Sequence, residues 1–95
     1  MYGTVARLRI KPGAETQFRQ DLSDFESLKV PGFISTHVYR MDADPNEYFM
    51  AVAFTDKEAY RANAESPEQD ARYRKMVASL ESEPEWHDGE VIWGR

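Results

Sequence analysis

The chain of 95 residues has no cysteine, so it has no disulfide, no thiolate metal site and no cysteine nucleophile. It has no run approaching the roughly 20 apolar residues that cross a bilayer, which excludes a helical membrane span. A basic stripe is also missing. Acidic and basic residues are interspersed and the net charge is -5, the wrong sign for a surface that displaces counterions from phosphates. No nucleic-acid partner is therefore expected, and the acidity reads as solubility. Glycine-rich phosphate loops, a dinucleotide fingerprint and a Ser/His/Asp signature are all absent. The only histidines, His37 and His87, lie far apart with no paired carboxylates at ligand spacing, so no metal is expected. Met1–Ile10 carries Arg7 and Arg9 inside its apolar run and has no small-residue cleavage site. It does not read as a signal peptide, and cytoplasmic residence is the expectation.

What is present is a 41% hydrophobic content, enough for one globular domain over residues 1–95, without linker, repeat or low-complexity tract. Periodicity gives the order strand, helix, strand, strand, helix, helix, strand. The first strand spans Tyr2–Ile10, with Thr4, Ala6, Leu8 and Ile10 on the face beneath the helices. Lys11-Pro12-Gly13 ends it. Ala14, Phe18, Leu22 and Phe25 make the apolar stripe of a helix over Ala14–Leu28. Pro31-Gly32 breaks the chain before a second strand, Phe33–Met41, in which Phe33, Ser35, His37, Tyr39 and Met41 share one face. The turn residues Asp42–Asn46 join it to a third strand, Tyr48–Phe54. Thr55 and Glu58 have capping-box spacing ahead of a helix to Ala64. Ser66, Pro67 and Gln69 begin a third helix to Leu80, whose buried stripe is Tyr73, Met76, Val77 and Leu80. A last strand is expected within Trp86–Trp93, clearest at Val91-Ile92-Trp93, with Trp86 and Trp93 packing in a dimer or stabilising that strand.

Two split β-α-β units give a ferredoxin-like α+β domain with a four-stranded antiparallel sheet and helices on one face. The third strand is apolar on both faces: Tyr48, Met50, Val52 and Phe54 alternate with Phe49, Ala51 and Ala53. The helices cover only one of those faces. A second copy of the chain is the simplest cover for the other, which predicts a homodimer built sheet against sheet.

Several pieces together resemble the antibiotic-biosynthesis-monooxygenase-like domains, the dimeric α/β barrels. They are Lys11-Pro12-Gly13, Pro31-Gly32-Phe33, Asp44-Pro45-Asn46-Glu47-Tyr48, Phe54-Thr55-Asp56-Lys57-Glu58-Ala59-Tyr60 and Ser66-Pro67. The resemblance covers nearly the whole chain and rests mostly on turns and caps, so it marks fold better than activity. It implies face-to-face homodimers and, in the best-known members, oxidation of aromatic phenols by oxygen without a cofactor. Of the four pocket residues of that type, the tyrosine falls on Tyr60 and the arginine near Arg74. The asparagine position holds Met50 and the tryptophan position holds Phe54. The haem-degrading type keeps none of its three residues, whose positions hold Ala6, Asn63 and Tyr73.

Oxygenation without a cofactor requires an electron-rich substrate, a proton acceptor, a donor or cation beside the resulting anion, and exclusion of water. If its strand face meets the pocket, His37 is the base; otherwise it is an ordinary strand residue. Tyr60 and Arg74 complete the expected catalytic set, Arg74 having a solvated salt bridge as its plainer role. Ala6, Leu8, Met50, Phe54 and Tyr73 are expected to line the site for a small aromatic molecule. The leading function is a monooxygenase acting on a phenol or quinol-like compound with no cofactor; the alternatives are a non-catalytic dimeric barrel that binds an apolar ligand or partner or serves a structural or stress role, and an isomerase or lyase on a similar barrel. A filled core near Tyr60 and His37 would favour the second.

Overall fold

The computed structural model describes residues 1–95. Its elements are β1 (Tyr2–Arg9), α1 (Glu15–Ser27), β2 (Phe33–Arg40), β3 (Glu47–Phe54), α2 (Lys57–Ala64), α3 (Pro67–Val77) and β4 (Glu85–Glu90). The four strands form one antiparallel sheet in the order β2-β3-β1-β4. The split β-α-β order of the sequence accounts for this arrangement: β1 and β3 become central neighbours, and β2 and β4 take the edges. The helices lie on one face.

Alternation along β1 sends Thr4, Ala6, Leu8 and Ile10 inward, and all four are buried. Ala6, Leu8, Ile10, Phe18, Tyr48, Met50 and Leu80 form the core cluster, with Ala14, Leu22, Val38, Val52 and Met76 packed against it. This cluster fills the end of the sheet where β1 leaves and β3 enters. The opposite end, around Thr4, Val52 and Phe54, is roofed more loosely by α2 and α3.

Four local details differ from the sequence reading, each for a physical reason. The register of β2 against β3 slips between Phe33 and Ser35, and the slip reverses the faces beyond it. Phe33 therefore points to the helices and stacks edge-on against Phe25 and Phe54. Ser35, His37 and Tyr39 go to the opposite face, opposite Ala53, Ala51 and Phe49. The cap of α2 is Asp56, which accepts from Ala59 N–H at 2.8 Å, and not Thr55. Thr55 still belongs to the strand end, since its N–H donates to Gly32 O. Helix α3 starts at the expected Ser66 cap but ends at Val77, because Leu80 leaves it to bridge Ile10. Lastly, β4 lies ahead of the Val91–Trp93 run. Glu90 pairs with Tyr2 and Val91 N–H donates to Met1 O. Ile92 and Trp93 lie outside the strand and are exposed.

Val5, Phe49, Ala51, Ala53 and Tyr39 lie on the sheet face without helices. Arg7 and Arg9 share that face, gathered at one end among acids: Arg7 bonds Glu47 at 2.8 Å and Arg9 bonds Asp44 at 3.1 Å. The Asn46 backbone N–H, and then Arg9, hold the Asp44 carboxyl below its ordinary pKa.

Candidate active site

Between the sheet and its helices lies a cavity of about 390 Å³, within the size range of small-molecule sites. Its floor follows from strand register. Asp88 of β4, Thr4 of β1, Val52 of β3 and Thr36 of β2 stand opposite one another in a single row across all four strands, and all four line the cavity. Met50, Phe54 and Trp86 extend the floor. The walls come from α1 (Asp21, Leu22, Phe25), α2 (Tyr60, Asn63, Ala64) and α3 (Gln69, Asp70, Arg72, Tyr73, Met76).

Tyr60 is fixed from three sides. Its ring meets Tyr2 and Phe54 edge-on at centroid distances of 5.3 and 5.7 Å, and its hydroxyl donates to Asp88 Oδ1 at 2.8 Å. Burial, then the Asp88 carboxylate, push its pKa up to about 12. Tyr60 is therefore a proton donor that stays protonated across the neutral range, not a base. In a spectroscopic titration of the phenolic groups, one of the five tyrosines should ionise only near pH 12. Tyr60→Phe should remove that late component. Linkage gives a second sign. The folded-state pKa is raised, so the contribution to stability is intact below about 10, the unfolded value, and is lost as pH rises through about 12. If no tyrosine titrates late, the Tyr60–Asp88 contact does not persist in solution.

Thr4 is buried beside this pair and its Oγ1 has no hydrogen-bond partner. Trp86 lies tilted against Tyr73, ring centroids 6.2 Å apart, and closes the floor at the β4 edge. Arg72 reaches over the Phe25 ring, 5.1 Å from its centroid. Its guanidinium donates to Gln69 Oε1 at 3.1 Å and Asn63 Oδ1 at 3.2 Å. Both acceptors are neutral amides, so neither cancels its charge.

The structure redistributes the residues expected from sequence. Tyr60, Met50, Phe54 and Tyr73 line the cavity. Ala6 and Leu8 do not; they are sealed in the adjacent core. His37 stands on the helix-free face because of the slip in β2, opposite Ala51 and away from Tyr60. It lines a separate shallow hollow with Val5 and His87. Arg74 points outward and pairs with Asp70 at 3.1 Å, mostly exposed. The helix instead turns Arg72 toward the cavity. Trp86, expected in a dimer contact or as a strand stabiliser, is part of the site wall.

Thr4, Asp21, Asn63 and Asp88 also line the cavity, beyond the residues expected from sequence. Parity would have found Asp88 and Trp86 together, once β4 was centred on Glu85–Glu90 instead of on the more apolar residues after it. Asp21 stands at the edge of the apolar stripe of α1, three residues after Phe18 and four before Phe25, and a carboxylate at that position is the signal that could have found it.

A family model described as antibiotic biosynthesis monooxygenase matches residues 1–75. No curated protein matches the chain in sequence. Among solved structures, a conserved protein from Methanosarcina mazei shares 21% identity with a TM-score of 0.77, covering 93% of this chain and 89% of that one. SnoaB, a cofactor-independent oxygenase from Streptomyces nogalater, shares 20% identity with a TM-score of 0.74, covering 99% of this chain and 97% of that one. At these identities the likeness to the solved structures is one of fold.

Proposed function

Because the chain belongs to the antibiotic biosynthesis monooxygenase family, we propose that it is a cofactor-independent monooxygenase that oxidises a small phenolic or quinol-like compound with molecular oxygen. The observation that carries the reading is the Thr4–Tyr60–Asp88 group at one end of an aromatic-walled cavity. There a carboxylate can take a proton while two hydroxyls stand ready to donate to the oxygen left behind.

In this reading the phenol lies over Met50, Val52 and Phe54 with its hydroxyl at Asp88. Asp88 accepts the phenolic proton. Tyr60, held protonated, turns its O–H from the now neutral acid to the phenolate, and Thr4 adds a second donor. The electron-rich anion passes one electron to oxygen. The superoxide so formed joins a hydrogen-bearing ring carbon ortho or para to the phenolate oxygen. That carbon then loses its hydrogen as the O–O bond breaks, so phenol and oxygen give quinone and water. Trp86 and Tyr73 form the aromatic wall beside the reacting carbon at the β4 edge. His37 and Arg74 take no part, since one faces the other side of the sheet and the other faces solvent.

The test is oxygen uptake by the pure protein over a panel of hydroquinones and naphthols, with quinone followed by absorbance. Rates no higher than autoxidation across the panel would sink the reading. The non-catalytic alternative would then hold, with the cavity as a ligand site.

The proposed assembly is a homodimer packed through the helix-free face. The exposed Val5 and Tyr39 support it, with Ala51 and Ala53 between them as a flat apolar field. The ring of ion pairs around Arg7 and Arg9 would lie toward the rim. Ala51→Lys should place a charge in the packed layer and weaken association by about 2 kcal/mol or more. Sedimentation at micromolar concentration reads this directly. Wild type sedimenting as a monomer of 11.0 kDa would refute the assembly.

A further inference from the structure

The cavity has a second polar end, which the reaction above leaves unused. In the whole molecule two buried side-chain oxygens lack a hydrogen-bond partner, Thr4 Oγ1 and Asp21 Oδ2, and both residues line this one cavity. Thr4 belongs to the first end, beside Asp88. Asp21 stands on α1, one helical turn before Phe25, whose ring packs on Phe33 of β2. That places Asp21 over the opposite side of the sheet from β4. The floor row between the two sides crosses three strand spacings, about 14 Å, and is apolar at Val52.

The environment of Asp21 specifies what it receives. Its side chain is only 7% exposed. Oδ1 accepts from Gln17 Nε2 at 2.9 Å and lies 3.4 Å from Lys75 Nζ, which fixes the carboxylate. Oδ2 is left as a buried acceptor without a donor, an arrangement that favours a ligand group able to donate to it. Arg72 is the neighbouring rung between the same two helices: Lys75 meets Asp21, and Arg72, three residues earlier on α3, covers Phe25. A ligand group entering here meets a carboxylate oxygen that must accept and a guanidinium that must donate. A carboxylate would satisfy Arg72 and be repelled by Asp21. An ammonium would satisfy Asp21 and be repelled by Arg72. A neutral hydroxyl donates to one and accepts from the other.

We propose that Asp21, with Arg72, is a specificity-determining anchor for a second hydroxyl, so that the substrate is an uncharged aromatic diol with hydroxyls at its two ends. The inference rests on the reading of this cavity as a phenol site. It concerns binding, and so it is tested without turnover.

Calorimetric titration of the protein under anaerobic conditions would compare three probes: biphenyl with a para-hydroxyl on each ring, its mono-hydroxy analogue, and the analogue in which one hydroxyl is replaced by carboxylate. Wild type should bind the diol about tenfold or more tightly than the mono-hydroxy probe, since the added bond is to a charged acceptor. The carboxylate probe should bind more weakly than the diol. Asp21→Leu should erase the preference for the diol, so that diol and mono-hydroxy probe bind this variant alike. The nearly isosteric Asp21→Asn, which guards against a folding defect in the first variant, should improve binding of the carboxylate probe.

Equal affinity for diol and mono-hydroxy probe, a diol preference unchanged by both substitutions, or no binding of any probe would each overturn the proposal. Aerobic oxygen uptake separates the two readings. A diol preference without oxidation leaves the anchor standing and removes the monooxygenase. Oxidation without a diol preference does the reverse.

Discussion

Asp88→Asn should lower kcat/KM for a hydroquinone by about 10²–10⁴-fold, the usual worth of a positioned general base, with little change in folding stability. Asparagine keeps the shape of the side chain and an acceptor for the Tyr60 hydroxyl, so the 2.8 Å contact at that position can persist. What it loses is the ability to hold the phenolic proton. Asp88 sits on an exposed edge strand, so the substitution removes no packing. The defect should appear in kcat more than in KM, because proton transfer belongs to the transition state and uniform binding is left intact. Tyr60→Phe should cause a smaller loss of the same kind, by removing a donor to the developing anion and leaving the base in place. His37→Ala and Arg74→Ala should leave the rate unchanged. Steady-state oxygen uptake for the four variants tests the assignment. If His37→Ala proves as damaging as Asp88→Asn, the proposed base is wrong.

Gly3→Ala is expected to be the most destabilising of the glycine-to-alanine changes, costing about 4 kcal/mol or more, in the range reserved for serious overpacking and backbone displacement. A Cβ at Gly3 would come 1.7 Å from Val52 O and 2.8 Å from its carbonyl carbon. Those atoms belong to the backbone of β3, the other central strand, so no side-chain rotation relieves the clash. β1 and β3 would have to part along their shared ladder, and the Thr4–Val52 pair in the cavity floor lies immediately beside it. Loss of stability and loss of ligand binding should therefore arrive together. Gly89→Ala is the control: nothing lies within 4 Å of the added methyl, and the change should stay within about 0.5 kcal/mol. Urea unfolding of the two variants against wild type gives the comparison. A Gly3→Ala variant of wild-type stability would show that β1 and β3 are less tightly apposed than described.

The way the chain combines an ordinary core with an open cavity explains why these two predictions touch the same region. At one end of the sheet, Leu8, Ile10, Phe18, Tyr48 and Leu80 close against one another. At the other end, Phe54 is buried but the floor carries Thr4, Thr36 and Asp88, residues with less apolar surface to attract a roof. α2 and α3 meet above them through Arg72, which bonds Asn63 of the neighbouring helix. The cavity survives because its walls are held by hydrogen bonds and aromatic edges instead of interdigitated aliphatic side chains, which would fill it.

By itself, the sequence determined the element order, the helix-facing side of β1, the Ser66 cap of α3 and the two-faced apolar character of β3. Each of these is a local matter of period, punctuation or side-chain type, and short-range sterics decide it. It also placed Tyr60, Met50, Phe54 and Tyr73 near one another, because helix and strand phases suffice for residues on regular elements. Only the tertiary structure decided the rest. A one-residue slip in β2 sent His37 to the other face, since strand alternation carries any shift through every later residue. The angle at which α3 lies on the sheet chose Arg72 over Arg74, two residues apart and some 200° apart around the helix. The register of β4 against β1 brought Asp88 to Tyr60 and left the apolar Ile92 and Trp93 outside the sheet. Partners of this kind come from segments distant in the chain. Nothing in either segment's own composition announces the other.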